Sequence, residues 1–169
     1  MVLGMSIAAF TALHVILSLI GILAGAVVVF QMWNARTPQG WTAVFLATTV
    51  ATSVTGFMFP SEQFTPARVV GLISLVALAA AVFGLYYARL AGAWRWIYVS
   101  GAVMALYLNV FVAVVQGFQK LAFLHPLAPT GSEPPFVVTQ VLVLAAFIWA
   151  AVLALRRFHP SVRSPMAAA

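Results

Sequence analysis

Apolar residues fall into five long blocks separated by short polar stretches punctuated with proline and glycine. The blocks cover about residues 6–33, 41–59, 66–90, 94–123 and 135–158. Each is roughly 20 residues or longer, the length an α-helix needs to cross a hydrocarbon layer about 30 Å thick. Their interiors are apolar on most sides, as a helix solvated by lipid should be, and lack the strict alternation of a half-buried strand. The pattern predicts an all-α integral membrane bundle of five transmembrane helices in a single domain, 1–169. Between the blocks, NARTPQG (34–40) reads as a turn and PSEQFTPAR (60–68) as a connection. Within the latter, Thr65 before Pro66 is a helix-start signal.

The polar positions inside the blocks are few, and their spacing is informative. His14, Ser18, Gly21 and Gly25 share one face of the first block, and Gly21 to Gly25 is a GxxxG pair suited to close helix approach. The second block carries Thr48, Thr49, Thr52, Ser53 and Thr55 before Gly56. Hydroxyls in a helix can bond back to the i−4 carbonyl, so this run needs no ligand to be satisfied. The third block is aliphatic apart from Ser74 and reads as a lipid-facing or scaffold helix. In the fourth, Asn109, Gln116 and Lys120 lie on one face. A loop from His125 to Phe136 follows with four of the nine prolines. The fifth block has Thr139 and Gln140 near its start and an alanine ridge at Ala146, Ala150 and Ala154.

Composition strengthens the membrane reading. Hydrophobic residues make up 64% of the chain, charged residues 6%, and the mean hydropathy is +1.11. A soluble domain carries about 25% charged residues. The pI near 10.9 rests on eight basic residues. They stand singly or in pairs at block ends, as topology determinants do, so nucleic acid is excluded as a partner. The chain has no cysteine, which removes disulfide, thiolate and Cys-metal chemistry. It also has no aspartate, and its two acids, Glu62 and Glu133, both fall in predicted loops. Paired-carboxylate catalysis and a buried carboxylate relay are not expected, and no catalytic or metal-ligating set is predicted.

No Lys or Arg precedes Arg36, so the first block reads as a retained spanning helix and not as a secretory signal. Five spans put the termini on opposite sides. With the C-terminus inside, Arg36, Arg89, Arg95, Arg156, Arg157 and Arg163 lie inside, and Arg68, Lys120 and both glutamates lie outside. Trp33, Trp41, Trp94 and Trp96 with Tyr86, Tyr87 and Tyr98 then form an inner aromatic belt. The N-terminus is expected outside and the C-terminus inside.

In that orientation His14, Ser53, Asn109, Gln116 and Gln140 all fall in the middle or outer half of the membrane. Unpaired polar groups in lipid cost several kcal/mol each, so they should face one another or water. These five are the candidate ligand-binding residues of an outward-opening pocket between blocks 1, 2, 4 and 5, partly covered by the Leu124–Pro135 loop. A self-satisfied network that fixes helix register is the competing expectation. His14 is expected to donate to Ser53 or Asn109, and Lys120 and Arg68 to pair with Glu133 and Glu62.

The functional expectation is an accessory subunit of a larger membrane complex, or a binder of a small hydrophobic or amphipathic ligand, and not an enzyme. A haem or quinone redox protein is an alternative, although haem usually takes two axial ligands and only His14 lies at depth. An oligomeric transporter or channel component is another, with GxxxG and the alanine ridge as homo-oligomer contacts. The expected surroundings are the lipid bilayer.

The run GAWRWIYV…ALYLNVFVAVVQGFQK…LAPTGSEPPF, across blocks 3 to 5, resembles a group of small bacterial multi-pass membrane proteins with no established activity. The resemblance implies a multi-pass protein of the bacterial inner (plasma) membrane.

Overall fold

The computed structural model describes residues 1–36, 39–60 and 65–159. The predicted turn at 34–40 is therefore described only in part. Glu62 and its predicted pairing with Arg68, the inside charge Arg163 and the tail from 160 lie outside the described residues. The chain is all-helical: α1 (Ile7–Trp33), α2 (Gln39–Phe57), α3 (Pro66–Val82), α4 (Trp94–Lys120) and α5 (Pro134–Arg157). A π-helical turn (Phe83–Tyr87) extends α3, and a 3-10 turn (His125–Leu127) lies between α4 and α5.

The helix starts follow from local chemistry. Ser6 caps α1, its hydroxyl accepting from the Ala9 amide at 3.2 Å. α3 and α5 begin with proline in the first turn, where no amide partner is needed. α3 does not run in regular geometry to Leu90. It widens into the π turn and then breaks at Arg89 and Leu90, which have φ of 49° and 60°. This left-handed pair turns the chain within a few residues, so that α4 packs back along α3.

Helices α1 to α4 form a four-cornered bundle. α1 packs on α2 and α4, α3 packs on α2 and α4, and α1 and α3 stand at opposite corners. α5 lies outside, against α4 and the edge of α1. The most apolar stretch of α4 is 50% buried and that of α5 only 11%, which makes α4 central and α5 peripheral. The core sits on the bundle axis among Ala24 and Val28, Phe45 and Leu46, Leu78 and Ala81, and Val99, Ala102, Val103, Ala105 and Leu106.

Two glycines set the helix spacing. A Cβ at Gly25 would lie 2.6 Å from Leu106 Cδ1 and 2.8 Å from the Phe45 ring, and one at Gly101 would lie 2.7 Å from the Ala77 carbonyl. Gly25 thus spends the GxxxG pair on packing inside the chain. α5 is tied down at its C-terminal end. Trp33 Nε1 donates to the Ala150 carbonyl at 3.2 Å, and Arg95 donates to the carbonyls of Leu155 at 3.1 Å and Phe158 at 2.8 Å.

The outer surface is apolar nearly throughout, with Leu23, Val76, Leu142 and Trp149 all more than 60% exposed. Water does not tolerate so much contiguous apolar surface on a small monomer, but lipid does. α1, α3 with its π turn, α4 and α5 are each long and apolar enough to cross a membrane. The molecule is a multi-pass membrane protein. α2 has the length, with 19 residues, but its run of hydroxyls keeps it below the apolarity of the other four.

Candidate functional site

A cavity of about 100 Å³ lies on the bundle axis, toward the end where α1 begins and α2 finishes. Its polar lining is His14 and Ser18 of α1, Thr49, Thr52 and Ser53 of α2, Arg68 and Ser74 of α3, and Asn109 of α4. α1 brings His14 and Ser18 together because residues four apart share a helix face. The same rule aligns Thr49, Ser53 and Gly56 on α2, and Ala67, Gly71 and Ser74 on α3.

Most of these groups are paired across helices. Ser18 Oγ donates to Asn109 Oδ1 at 2.7 Å, and Asn109 Nδ2 reaches the Ser18 carbonyl at 3.4 Å. Ser53 Oγ donates to Ser74 Oγ at 3.3 Å. His14 Nδ1 meets Thr55 Oγ1 at 2.8 Å, and the same hydroxyl lies 2.8 Å from the Ala51 carbonyl. Thr55 has one proton, and when the Ala51 carbonyl takes it, His14 donates from Nδ1 and its Nε2 is left as an acceptor. Phe59 stands edge-on to the imidazole at 5.3 Å, and its carbonyl accepts from Arg68 at 3.1 Å. Thr49 is the exception: its hydroxyl is buried with no partner among the described residues.

The structure brings together three of the five sequence-predicted residues, His14, Ser53 and Asn109. His14 meets Thr55 and not Ser53 or Asn109. Gln140 lies elsewhere, between α5 and α4, where Nε2 donates to the Phe111 carbonyl at 3.2 Å and Oε1 has no partner among the described residues. Gln116 is half-buried, outside the cavity lining, and makes no hydrogen bond to a described residue. The fourth wall is α3 and not α5, and no residue of the 124–135 loop lines the cavity. Sequence reasoning missed this role of α3. The signal was its single mid-helix hydroxyl, Ser74, one turn from Gly71.

Glu133 does not pair with Lys120. It closes its own loop instead: Oε1 accepts from the Thr130 amide at 3.0 Å and hydroxyl at 2.9 Å, and Oε2 from the Ser132 amide at 3.0 Å. Desolvation pushes its pKa up, but these donors outweigh it and hold the carboxyl at about 2.

The cavity therefore offers hydroxyls, one amide and one imidazole, with a guanidinium beside them and no carboxylate among the described residues of its lining. Among the described residues no group of His, Cys, Asp or Glu is arranged to hold a metal ion. The arrangement can hold water or the polar part of a small molecule by hydrogen bonds. No family model matches the chain, and no curated protein and no solved structure matches it.

Proposed function

We propose that this protein is a small integral protein of the bacterial inner membrane, an accessory or ligand-binding component that holds a small hydrophobic or amphipathic molecule in a polar pocket of the outer leaflet. The cavity among His14, Ser18, Ser53, Ser74 and Asn109 carries this reading, because it gathers polar side chains from four helices of an otherwise lipophilic chain. In the proposed topology α2 is the fifth span, kept in the membrane by its hydroxyls bonding back to its own carbonyls. Thr48, Thr52 and Thr55 do so at 2.7 to 2.9 Å. The N-terminus lies outside and the C-terminus inside, supported by Arg36, Arg89, Arg95, Arg156 and Arg157 at one end of the bundle.

Size separates this reading from the redox alternative. A cavity of about 150 Å³ accommodates a benzene ring, so one of about 100 Å³ is too small for a quinone ring without rearrangement. It suits the head of an acyl lipid or a few waters. The channel alternative loses one of its supports, because Gly21 and Gly25 are both buried within the chain.

The test is the native mass of the protein released gently from a bacterial membrane. A stoichiometric lipid-sized adduct that is lost in His14→Ala or Asn109→Ala supports the proposal. A bare monomer that keeps its fold reassigns the polar cluster to a structural network, and a bare closed oligomer favours a pore.

A further inference from the structure

A second recess lies away from the polar cavity, toward the C-terminal ends of α1 and α5. It is a slot of about 260 Å³ between these two helices, walled by Ala26, Val29, Ala146 and Phe147 and floored by Leu106 of α4. The small side chains of the alanine ridge open it. Trp33 and Trp149 also line it, with their rings packed edge to face at 5.4 Å. Its one polar group, Trp33 Nε1, is already used by the Ala150 carbonyl. The slot is therefore dry, and nothing in it would recognise a polar head. It is larger than the cavity of about 150 Å³ that takes a benzene ring, so it has room for several methylene groups.

Charge lies where the slot ends. Arg36 follows Trp33 by three residues, and Arg156 and Arg157 occupy the last turn of α5. All three are exposed, none hydrogen-bonds through its side chain to a described residue, and no described residue at this end is acidic. Arg95, also at this end, is committed to the carbonyls of Leu155 and Phe158. An apolar slot that terminates in cations matches one class of molecule, a lipid with a hydrocarbon chain and a negative head.

We infer that the α1–α5 slot is a binding site for an anionic phospholipid, with one acyl chain against Ala26, Leu106 and Ala146 and the phosphate among Arg36, Arg156 and Arg157. The site is independent of the polar cavity and of the function proposed for it. A chain seated there would add packing between α1 and α5, whose most apolar stretch is only 11% buried, beside the tie from Trp33 to the Ala150 carbonyl.

The test uses the full chain in nanodiscs of phosphatidylcholine, with a chain-labelled nitroxide carried either by phosphatidylglycerol or by phosphatidylcholine. Electron paramagnetic resonance reads the immobilised fraction of each label. The expected result is a tightly immobilised component that prefers phosphatidylglycerol and loses that preference as salt rises. Removing charge with Arg36→Gln/Arg156→Gln/Arg157→Gln lowers the preference by about fivefold for each arginine in contact. Filling the slot with Ala146→Phe removes the tight component for both labels. Should the charge variant fail to insert, the salt titration on the wild-type chain decides the same point. Equal immobilisation of the two labels in the wild type overturns the proposal, as does an unchanged tight component in Ala146→Phe. A wild-type dimer that Ala146→Phe converts to monomer overturns it by giving the slot to a second copy of the chain.

Discussion

Ser18 and Asn109 lie 91 positions apart and grip each other at two points. The serine hydroxyl donates to the amide oxygen at 2.7 Å, and the amide nitrogen reaches the serine carbonyl at 3.4 Å. The pair joins α1 to α4 in the lining of the polar cavity. Asn109 is 8% exposed, so a truncated partner cannot turn to bulk water. Asn109→Ala should destabilise the bundle by about 1–2 kcal/mol, with coupling to Ser18→Ala of about 0.6–1.7 kcal/mol in a double-mutant cycle. Unfolding in mixed micelles measures both. Strict additivity would mean that the hydrogen bond from the Ser18 hydroxyl to Asn109 does not form, since Ser18→Ala leaves the serine carbonyl in place.

Arg95 makes a different kind of tie. Its guanidinium satisfies the carbonyls of Leu155 and Phe158, which a helix C-terminus would otherwise leave open. Charged hydrogen bonds of this kind contribute about 1.5–3 kcal/mol. Arg95→Met retains much of the stem and removes the donors, so the last turn of α5 should fray while the rest of the bundle holds. Amide exchange should quicken at residues 155–158 and stay unchanged in α1 and α2. Uniformly faster exchange would instead point to a global loss of stability.

These contacts also show what the sequence could and could not disclose. Helices were legible because lipid demands about 20 apolar residues with internal hydrogen bonds, a coarse signal that one chain carries plainly. The site was legible in one coordinate only. Charge bias and block order assign each polar residue a depth, and at similar depth His14, Ser53, Asn109 and Gln140 look equivalent. Depth says nothing about the angle around the bundle. That angle depends on α5 packing outside, on α4 and α1, which turns Gln140 toward the Phe111 carbonyl and leaves the fourth wall to α3. Ser74 was overlooked for the same reason: one hydroxyl in an aliphatic helix has no partner until the neighbouring helix is placed.

The loop before α5 should respond to acid. The Glu133 carboxyl has its pKa lowered from 4.5 to about 2 by donors from Thr130 and Ser132. A depressed folded-state pKa contributes stability that is fully present above the unfolded value and is lost as pH falls through the folded one. The window thus runs from about 4.5 down to about 2. Carbon NMR of the Glu133 carboxyl should show a midpoint near the lower figure, and the Thr130 and Ser132 amides should lose exchange protection over the same range. Glu133→Gln should flatten that dependence without moving the rest of the spectrum. A midpoint at the ordinary carboxylate value would show that the loop is not closed in this way.

Thr49 offers the sharpest contrast between a polar group that is merely buried and one that is used. On α2, Thr48, Thr52 and Thr55 each return the hydroxyl to the carbonyl four residues back. Thr49 does not, although it is 1% exposed, and its oxygen has no partner among the described residues. The hydroxyl is pressed instead toward the bare backbone of Gly21, where a Cβ would lie 3.0 Å away. A buried polar group without a partner costs about 1–3 kcal/mol, and an apolar group of the same shape avoids that cost. Thr49→Val preserves the shape, so it should leave the bundle as stable as the wild type or up to about 2 kcal/mol more stable. Asn109→Ala, by contrast, should weaken it. The measurement is the same micellar unfolding assay, run on protein stripped of lipid and again on protein released with its native lipids. Equal results in both preparations would fix Thr49 as packing. A loss of stability confined to the native-lipid preparation would mean that the hydroxyl finds its acceptor in a bound molecule, and would add Thr49 to the residues of the cavity that hold it.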